Sequence, residues 1–189
     1  DRIISAVDRS KAEGQRNRAI LETLYSCGLR VSELVNLKLS DLYFDEGFIK
    51  VEGKGSKQRL VPISPRAINE IKLYFTDRNR IEVKKEYEDF VFVSQRRGKG
   101  LSRIMIFHMI KELAQTAGII KNISPHTFRH SFATHLLEGG ANLRAIQCML
   151  GHESIATTEI YTHIDRNMLR SEIIEHHPRN IKYRKEKER

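Results

Sequence analysis

Apolar residues recur at helical spacing along most of this chain, and one short region departs from that pattern. Between Arg18 and Cys27 the apolar positions are Ala19, Ile20, Leu24 and Cys27. Gly28 then fits the left-handed position that closes a helix. Val31 to Leu37 predicts a short second helix. The departure follows at once: Leu42-Tyr43-Phe44, Asp45-Glu46-Gly47 and Phe48-Ile49-Lys50-Val51 predict strand, turn and strand. A second turn at Gly53-Lys54-Gly55-Ser56-Lys57 leads to a third strand, Arg59 to Ile63, which completes a small antiparallel meander. Helical spacing resumes from Pro65 to Phe75 through Ala67, Ile68 and Ile71.

Thr76 to Asp89 is charged and weakly periodic, which predicts a mobile surface stretch. Phe90-Val91-Phe92-Val93 reads as a short strand, followed by the basic turn Gln95-Arg96-Arg97-Gly98-Lys99-Gly100. Ser102 predicts the N-cap of a helix running to Ala117 and ended by Gly118. Ser124 and Pro125 open the next helix, since proline at the first helical position has no hydrogen bond to lose. That helix runs through Phe128, Phe132, Leu136 and Leu137 to Gly139-Gly140. Asn142 caps another, Leu143 to Leu150, stopped at Gly151. Ser154 is expected to cap a helix carrying Tyr161. Asp165 starts a last one, with Leu169, Ile173 and Ile174 on one face, broken by Pro178. Residues 179–189 are charged throughout and lack a core face, so a disordered basic tail is expected. The predicted fold class is mainly α with a small three-stranded antiparallel sheet (α+β), as one domain over residues 1–178.

With 189 residues the chain can bury one sizeable core. A formal net charge of +9 adds a partner class: a surplus positive field concentrates polyanions. No apolar run reaches about 18 residues, so no membrane span is expected. Cys27 and Cys148 each lie in an apolar helical pattern and read as small hydrophobes in a reducing compartment. No secretory signal pattern is present at the start, which predicts a cytoplasmic location. The absence of an initiator Met leads us to expect a fragment.

The candidate chemistry lies in the punctuation between helices. His126 and Arg129 sit three residues apart in the first turns of one helix and share a face. The exposed N–H groups of that helix start add partial positive charge for an anion. His126 and His130 could together chelate a metal, but neither paired cysteines nor a His-Glu-x-x-His pattern accompanies them, and no metal is expected. His130 and His135 read as core-edge or surface residues. Gly53-Lys54-Gly55 does not match a nucleotide-binding loop: Gly47 is one residue too distant, and no Ser or Thr follows the lysine. Lys54 is either a polar turn residue or a proton donor on a hairpin tip. Arg30 could pair with Glu33 or bind phosphate bidentately. Tyr161 is either a core aromatic or a phenolic nucleophile.

Taken together, Arg30, Lys54, His126, Arg129, His152 and Tyr161, in that order and context, resemble the tyrosine recombinase (phage integrase) family, and within it the Xer-type site-specific recombinases. The resemblance is carried by Gly-Leu-Arg-Val-Ser-Glu-Leu around Arg30, Gly-Lys-Gly-x-Lys-x-Arg-Leu-Val-Pro around Lys54 and Ser-Pro-His-x-x-Arg-His around His126. Ala-Thr-His-Leu-Leu from Ala133, Met-Leu-Gly-His ending at His152, and Thr-Thr-x-Ile-Tyr-Thr-His around Tyr161 extend it. It covers about Gln15 to Arg179, and it implies a catalytic domain without the family's separate N-terminal DNA-clamping domain.

The resemblance implies a DNA strand transferase that works through a 3′-phosphotyrosine. In it Tyr161 is the nucleophile, Arg30 and Arg129 stabilise the phosphate, and Lys54 protonates the departing 5′ oxygen. His126 and His152 assist at the phosphate and the phenol, while Glu33 orients Arg30 or a neighbouring histidine. Lys57, Arg59, Arg96, Arg97, Lys99 and Arg103 are expected to contact double-stranded DNA. No cofactor, ATP or metal is expected. The implied assembly is a tetramer on DNA, homo- or heteromeric, with the C-terminal helix docked in trans and a monomer without DNA. For the chain without DNA we expect that helix to dock on its own domain. A non-catalytic DNA-binding module and a topoisomerase-like enzyme are the competing readings; the intact set of six argues against the first, and the Xer-like matches favour recombination over the second.

Overall fold

Helix α2 (Gly14–Cys27) is buried along its whole second half, from Ala19 to Cys27, because other elements cover it on every side. Its polar members are therefore paired. Thr23 donates to the Ala19 carbonyl at 2.7 Å, and Ser26 meets the Ser64 hydroxyl at 3.0 Å. The fully buried Glu22 carboxylate takes the Arg66 and Arg179 guanidinium groups. Burying such groups is tolerable only when they are hydrogen-bonded or ion-paired.

The chain is described as a computed structural model over residues 1–151 and 163–189. Around α2 lie α1 (Arg2–Ser5), α3 (Val31–Val35), α4 (Pro65–Arg78), α5 (Arg103–Thr116) and α6 (Pro125–Glu138). Then come α7 (Leu143–Leu150), α8 (His163–His176) and α9 (Pro178–Lys187). Strands β1 (Leu42–Tyr43), β2 (Phe48–Glu52) and β3 (Gln58–Pro62) form the expected antiparallel meander in the order β1-β2-β3. Its register pairs Leu42 with Ile49 and Val51 with Arg59. The caps work as their residue types dictate: the Ser64, Ser102 and Asn142 side chains accept from backbone N–H groups in the first turns of α4, α5 and α7.

A large core joins α1 to α5 with the sheet. A smaller one gathers Phe132 and Leu136 of α6, Ile146 and Met149 of α7, and Leu169 and Ile173 of α8. The C-terminal stripe is thus buried within its own chain. Gly28 is the hinge between the two cores. It closes α2 at φ 63°, and a Cβ there would lie 2.4 Å from the Phe132 ring. Only glycine meets both demands.

Three expectations are corrected. Phe90–Val93 is not a strand: single bridges pair Phe90 with Lys38 and Val93 with Gly100, and Arg78 occupies the carbonyls of Glu88, Phe90 and Val91. A guanidinium takes the place of a strand partner there. Residues 76–89 are not a loose surface stretch, since α4 continues to the buried Arg78, a 3₁₀ turn spans Lys85–Tyr87, and Lys84 N–H donates to the Gly98 carbonyl at 2.8 Å. Residues 179–189 are not a disordered tail, because Pro178–Lys187 form α9. Arg179 and Asn180 are buried in it, and polar anchors replace the missing apolar face. The helix expected from Ser154, with His152 and Tyr161, lies outside the described residues. Among the described residues no helix is long and apolar enough to cross a membrane.

Candidate active site

The turn that Gly28 permits places Arg30 at the N-cap of α3, with extended backbone. Glu33, three residues on, folds back to accept from the Arg30 backbone N–H at 2.9 Å and from its Nη1 at 3.1 Å. That reciprocal arrangement satisfies a donor that a helix start would leave open. The Arg30 side chain remains 42% exposed, so its outer edge is available to an anion, while Glu33 is buried beneath it.

A second arginine completes the pair from below. Arg59 donates from Nη1 and Nη2 to the two Glu33 oxygens at 2.7 and 3.0 Å, and from Nε to the Met149 carbonyl at 2.9 Å. Burial pushes the Glu33 carboxyl up, but the Arg59 hydrogen bonds and charge, with help from Arg30, hold it below its ordinary value. The carboxylate therefore stays ionised. Arg59 was expected to contact DNA, and this is corrected: its side chain is only 9% exposed and faces inward.

Lys54 begins the 3₁₀ turn Lys54–Ser56 between β2 and β3 and is exposed. The turn is closed at its root by Gly53 N–H donating to the Lys57 carbonyl at 2.7 Å. A Cβ on Gly53 would lie 3.6 Å from both Arg59 Nη1 and Glu33 Oε1. The lysine turn thus rests on the same ion pair that orients Arg30.

Arg129 reaches this centre from α6. Its Nη1 donates to the Gly28 carbonyl at 2.7 Å and its Nη2 to the Leu150 carbonyl at 2.8 Å. Burial, with the positive charge of Arg30 next in weight, lowers its pKa to about 10, so it remains a cation at neutral pH. Two consecutive carbonyls at the end of α7, Met149 and Leu150, are therefore held by Arg59 and Arg129. Cations suit a helix C-terminus, where carbonyls lack intrahelical donors. His126 stands exposed in the first turn of α6, opened by Ser124 and Thr127, with Ser124 N–H donating to Thr127 Oγ1 at 3.1 Å.

Arg30, Lys54 and Arg129 thus come from three separate elements that meet around Glu33, Arg59 and the end of α7, and His126 stands one turn before Arg129 on α6. His152 follows the end of α7 directly in sequence. Lys57, Arg96, Arg97, Lys99 and Arg103 are exposed, the last four on the turn and helix start around the Val93–Gly100 bridge. His130 is exposed, and His135 takes part in a 2.6 Å hydrogen bond with the Tyr25 hydroxyl. The inward role of Arg59 has a sequence signal, since alternation along β3 puts it on the same face as the buried Val61. Among the described residues no group of three or more His, Cys, Asp or Glu is placed to hold a metal.

The phage integrase family model matches residues 1–168. Tyrosine recombinase XerD of Pseudomonas putida is 46% identical over 177 residues, which are 94% of this chain and 59% of that protein. The XerD of Chlorobaculum tepidum is 51% identical over 164 residues, 87% of this chain and 54% of that protein. The chain therefore spans a little over half the length of these curated relatives. Among solved structures, the XerA recombinase crystal structure superposes with a TM-score of 0.72 at 37% identity, covering 94% of this chain and 62% of that one. The pre-cleavage complex of XerH site-specific recombinase bound to its difH substrate gives 0.70 at 30% identity, covering 86% and 47%. With a family match that takes in every one of the six candidate residues, this chain belongs to the phage integrase family.

Proposed function

We propose that this chain is the catalytic portion of a site-specific DNA recombinase that cleaves and rejoins strands through a 3′-phosphotyrosine. The observation that carries the reading is the convergence of Arg30 and the Lys54 turn on one buried Glu33–Arg59 pair, with Arg129 held beside it by the Gly28 and Leu150 carbonyls. Two fixed guanidinium groups and a mobile ammonium are what an in-line attack on a phosphodiester needs. The Tyr161 oxygen bonds to phosphorus as the bond to the 5′ oxygen breaks. Arg30 and Arg129 stabilise the non-bridging oxygens, Lys54 gives the departing oxygen its proton, and His126 with His152 handles the phenol proton. A 5′ hydroxyl from a second strand reverses the step. The phosphotyrosine conserves the bond energy, so no ATP is consumed, and arginines supply the neutralisation that a metal supplies in other phosphoryl-transfer sites.

The exposed Arg96, Arg97, Lys99 and Arg103, with Lys57, form the basic surface toward duplex DNA, and phosphate neutralisation there dominates affinity. The solved complex of XerH with its difH substrate supports DNA as the partner. On DNA we place four copies in a ring, with the C-terminal helices exchanged between neighbours, and a monomer without DNA. The site of action is chromosomal DNA in the cytoplasm.

Nicked genomic fragments incubated with the chain in EDTA test this reading. The expected result is a covalent adduct in wild type, none in Tyr161→Phe, and nearly equal DNA affinity for both. An adduct retained in the Phe variant, or a requirement for added divalent metal, would contradict it.

A further inference from the structure

In a chain of this charge, a basic residue next to a candidate catalytic lysine looks like a DNA contact, yet the Arg59 side chain is only 9% exposed and each of its three nitrogens bonds inward. Nη1 and Nη2 are committed to the two Glu33 oxygens and Nε to the Met149 carbonyl. Its stem fills the space beside Gly151, where a Cβ would stand 3.0 Å from Cδ and 3.1 Å from Nε. Gly151 adopts φ 70°, so the chain leaves α7 over this arginine and proceeds to His152. On its other side, Arg59 holds the carboxylate that grips both the backbone and the guanidinium of Arg30.

We propose that Arg59 is a positioning residue for phosphoryl transfer: through Glu33 it aims Arg30, and through the Met149 carbonyl it fixes the end of α7 from which His152 follows. The proposal rests on the recombinase reading above. A guanidinium spreads its donors over three nitrogens in a rigid fork, whereas the three donors of lysine share one nitrogen, so lysine in its place is expected to release one anchor. A purely stabilising ion pair is the competing account, and substrate charge separates the two. Arg30 acts on a charged non-bridging oxygen. A methylphosphonate at the scissile position removes that charge and with it most of the demand on Arg30.

The experiment measures single-turnover cleavage by the chain on a nicked duplex carrying a site recovered from wild-type adducts, made with either phosphate or methylphosphonate. Arg59→Lys is expected to lose about tenfold to a hundredfold on phosphate with DNA affinity unchanged, the range typical of residues that orient a reacting group. On methylphosphonate its deficit should shrink to within about threefold of wild type, in parallel with Arg30→Ala, because the charge that Arg30 neutralises is gone. Equal slowing on both substrates, or wild-type cleavage on phosphate, would overturn the proposal. If thermal melting shows that Arg59→Lys does not fold, the Glu33→Gln/Arg59→Gln pair removes both buried charges together and is judged by the same ratio. Absence of any wild-type adduct would instead refute the recombinase reading itself.

Discussion

His177 is fully buried between Tyr25 and Phe132, and its Nε2 lies 3.1 Å from the Tyr25 carbonyl. A carbonyl only accepts, so Nε2 carries a proton, and the buried Nδ1 has no hydrogen-bond partner among the described residues, which favours the neutral ring. Burial lowers its pKa from 6.5 to about 4. Above pH ~6.5 the ring is neutral in both folded and unfolded chains. As pH falls toward 4 the unfolded chain takes up a proton that the folded one refuses, so stability present above that range is lost through it. The linkage is worth about 3 kcal/mol at most. Urea denaturation between pH 7 and pH 4 should show that slope, and His177→Phe should flatten it; an unchanged slope would contradict this account. At this scale Arg30, Glu33 and Arg129 could be singled out from the sequence because each sits beside a helix boundary that fixes its direction. The sequence misdirected Arg59, since formal charge carries no information about which way a strand residue faces.

At the scale of elements, α9 is the clearest case of structure without a hydrophobic signature. Arg179 binds Glu22 and Asp1, Arg66 bridges Glu22 and Glu186, and the Asn180 amide donates to the Ile174 carbonyl. A helix held by buried ions is invisible to apolar periodicity, whereas α2, α4, α5, α6 and α7 were legible from stripes and caps. Removing one partner of a buried ion pair is costly because the other is left partly uncompensated. Arg179→Ala should therefore destabilise the domain by about 3 kcal/mol, measurable by urea denaturation. A change below about 0.5 kcal/mol, the range of ordinary surface substitutions, would contradict the anchoring role. Gly28→Ala tests the hinge between the cores: a strained left-handed residue costs about 1–2 kcal/mol before any contact with Phe132 is counted. Its loss should appear as a lowered melting temperature, and an unshifted melt would show that the hinge tolerates a side chain.

For the molecule as a whole, the β meander, α3, α6 and the end of α7 bring together residues as distant in sequence as Arg30 and Leu150. That convergence could be anticipated only through family resemblance, because no local pattern says which helix end meets which turn. The C-terminal region shows its own closure. Leu169 and Ile173 pack on α6 and α7 of the same chain, and His176 Nδ1 donates to the Gly139 carbonyl at 2.7 Å. In the proposed tetramer this segment moves to a neighbour. Deleting residues 169–189 from a chain fused to a family N-terminal DNA-clamping domain should then leave DNA binding but abolish cooperative synapsis; persistent cooperative tetramers would refute the exchange. The division of labour within the site is the central claim, and a substrate with sulfur at the 5′ bridging position tests it most directly, since a thiolate leaves without a proton. Lys54→Ala should be severely slow on ordinary DNA and recover on the sulfur substrate, while Arg129→Ala recovers on neither; rescue of both variants, or of neither, would contradict the account.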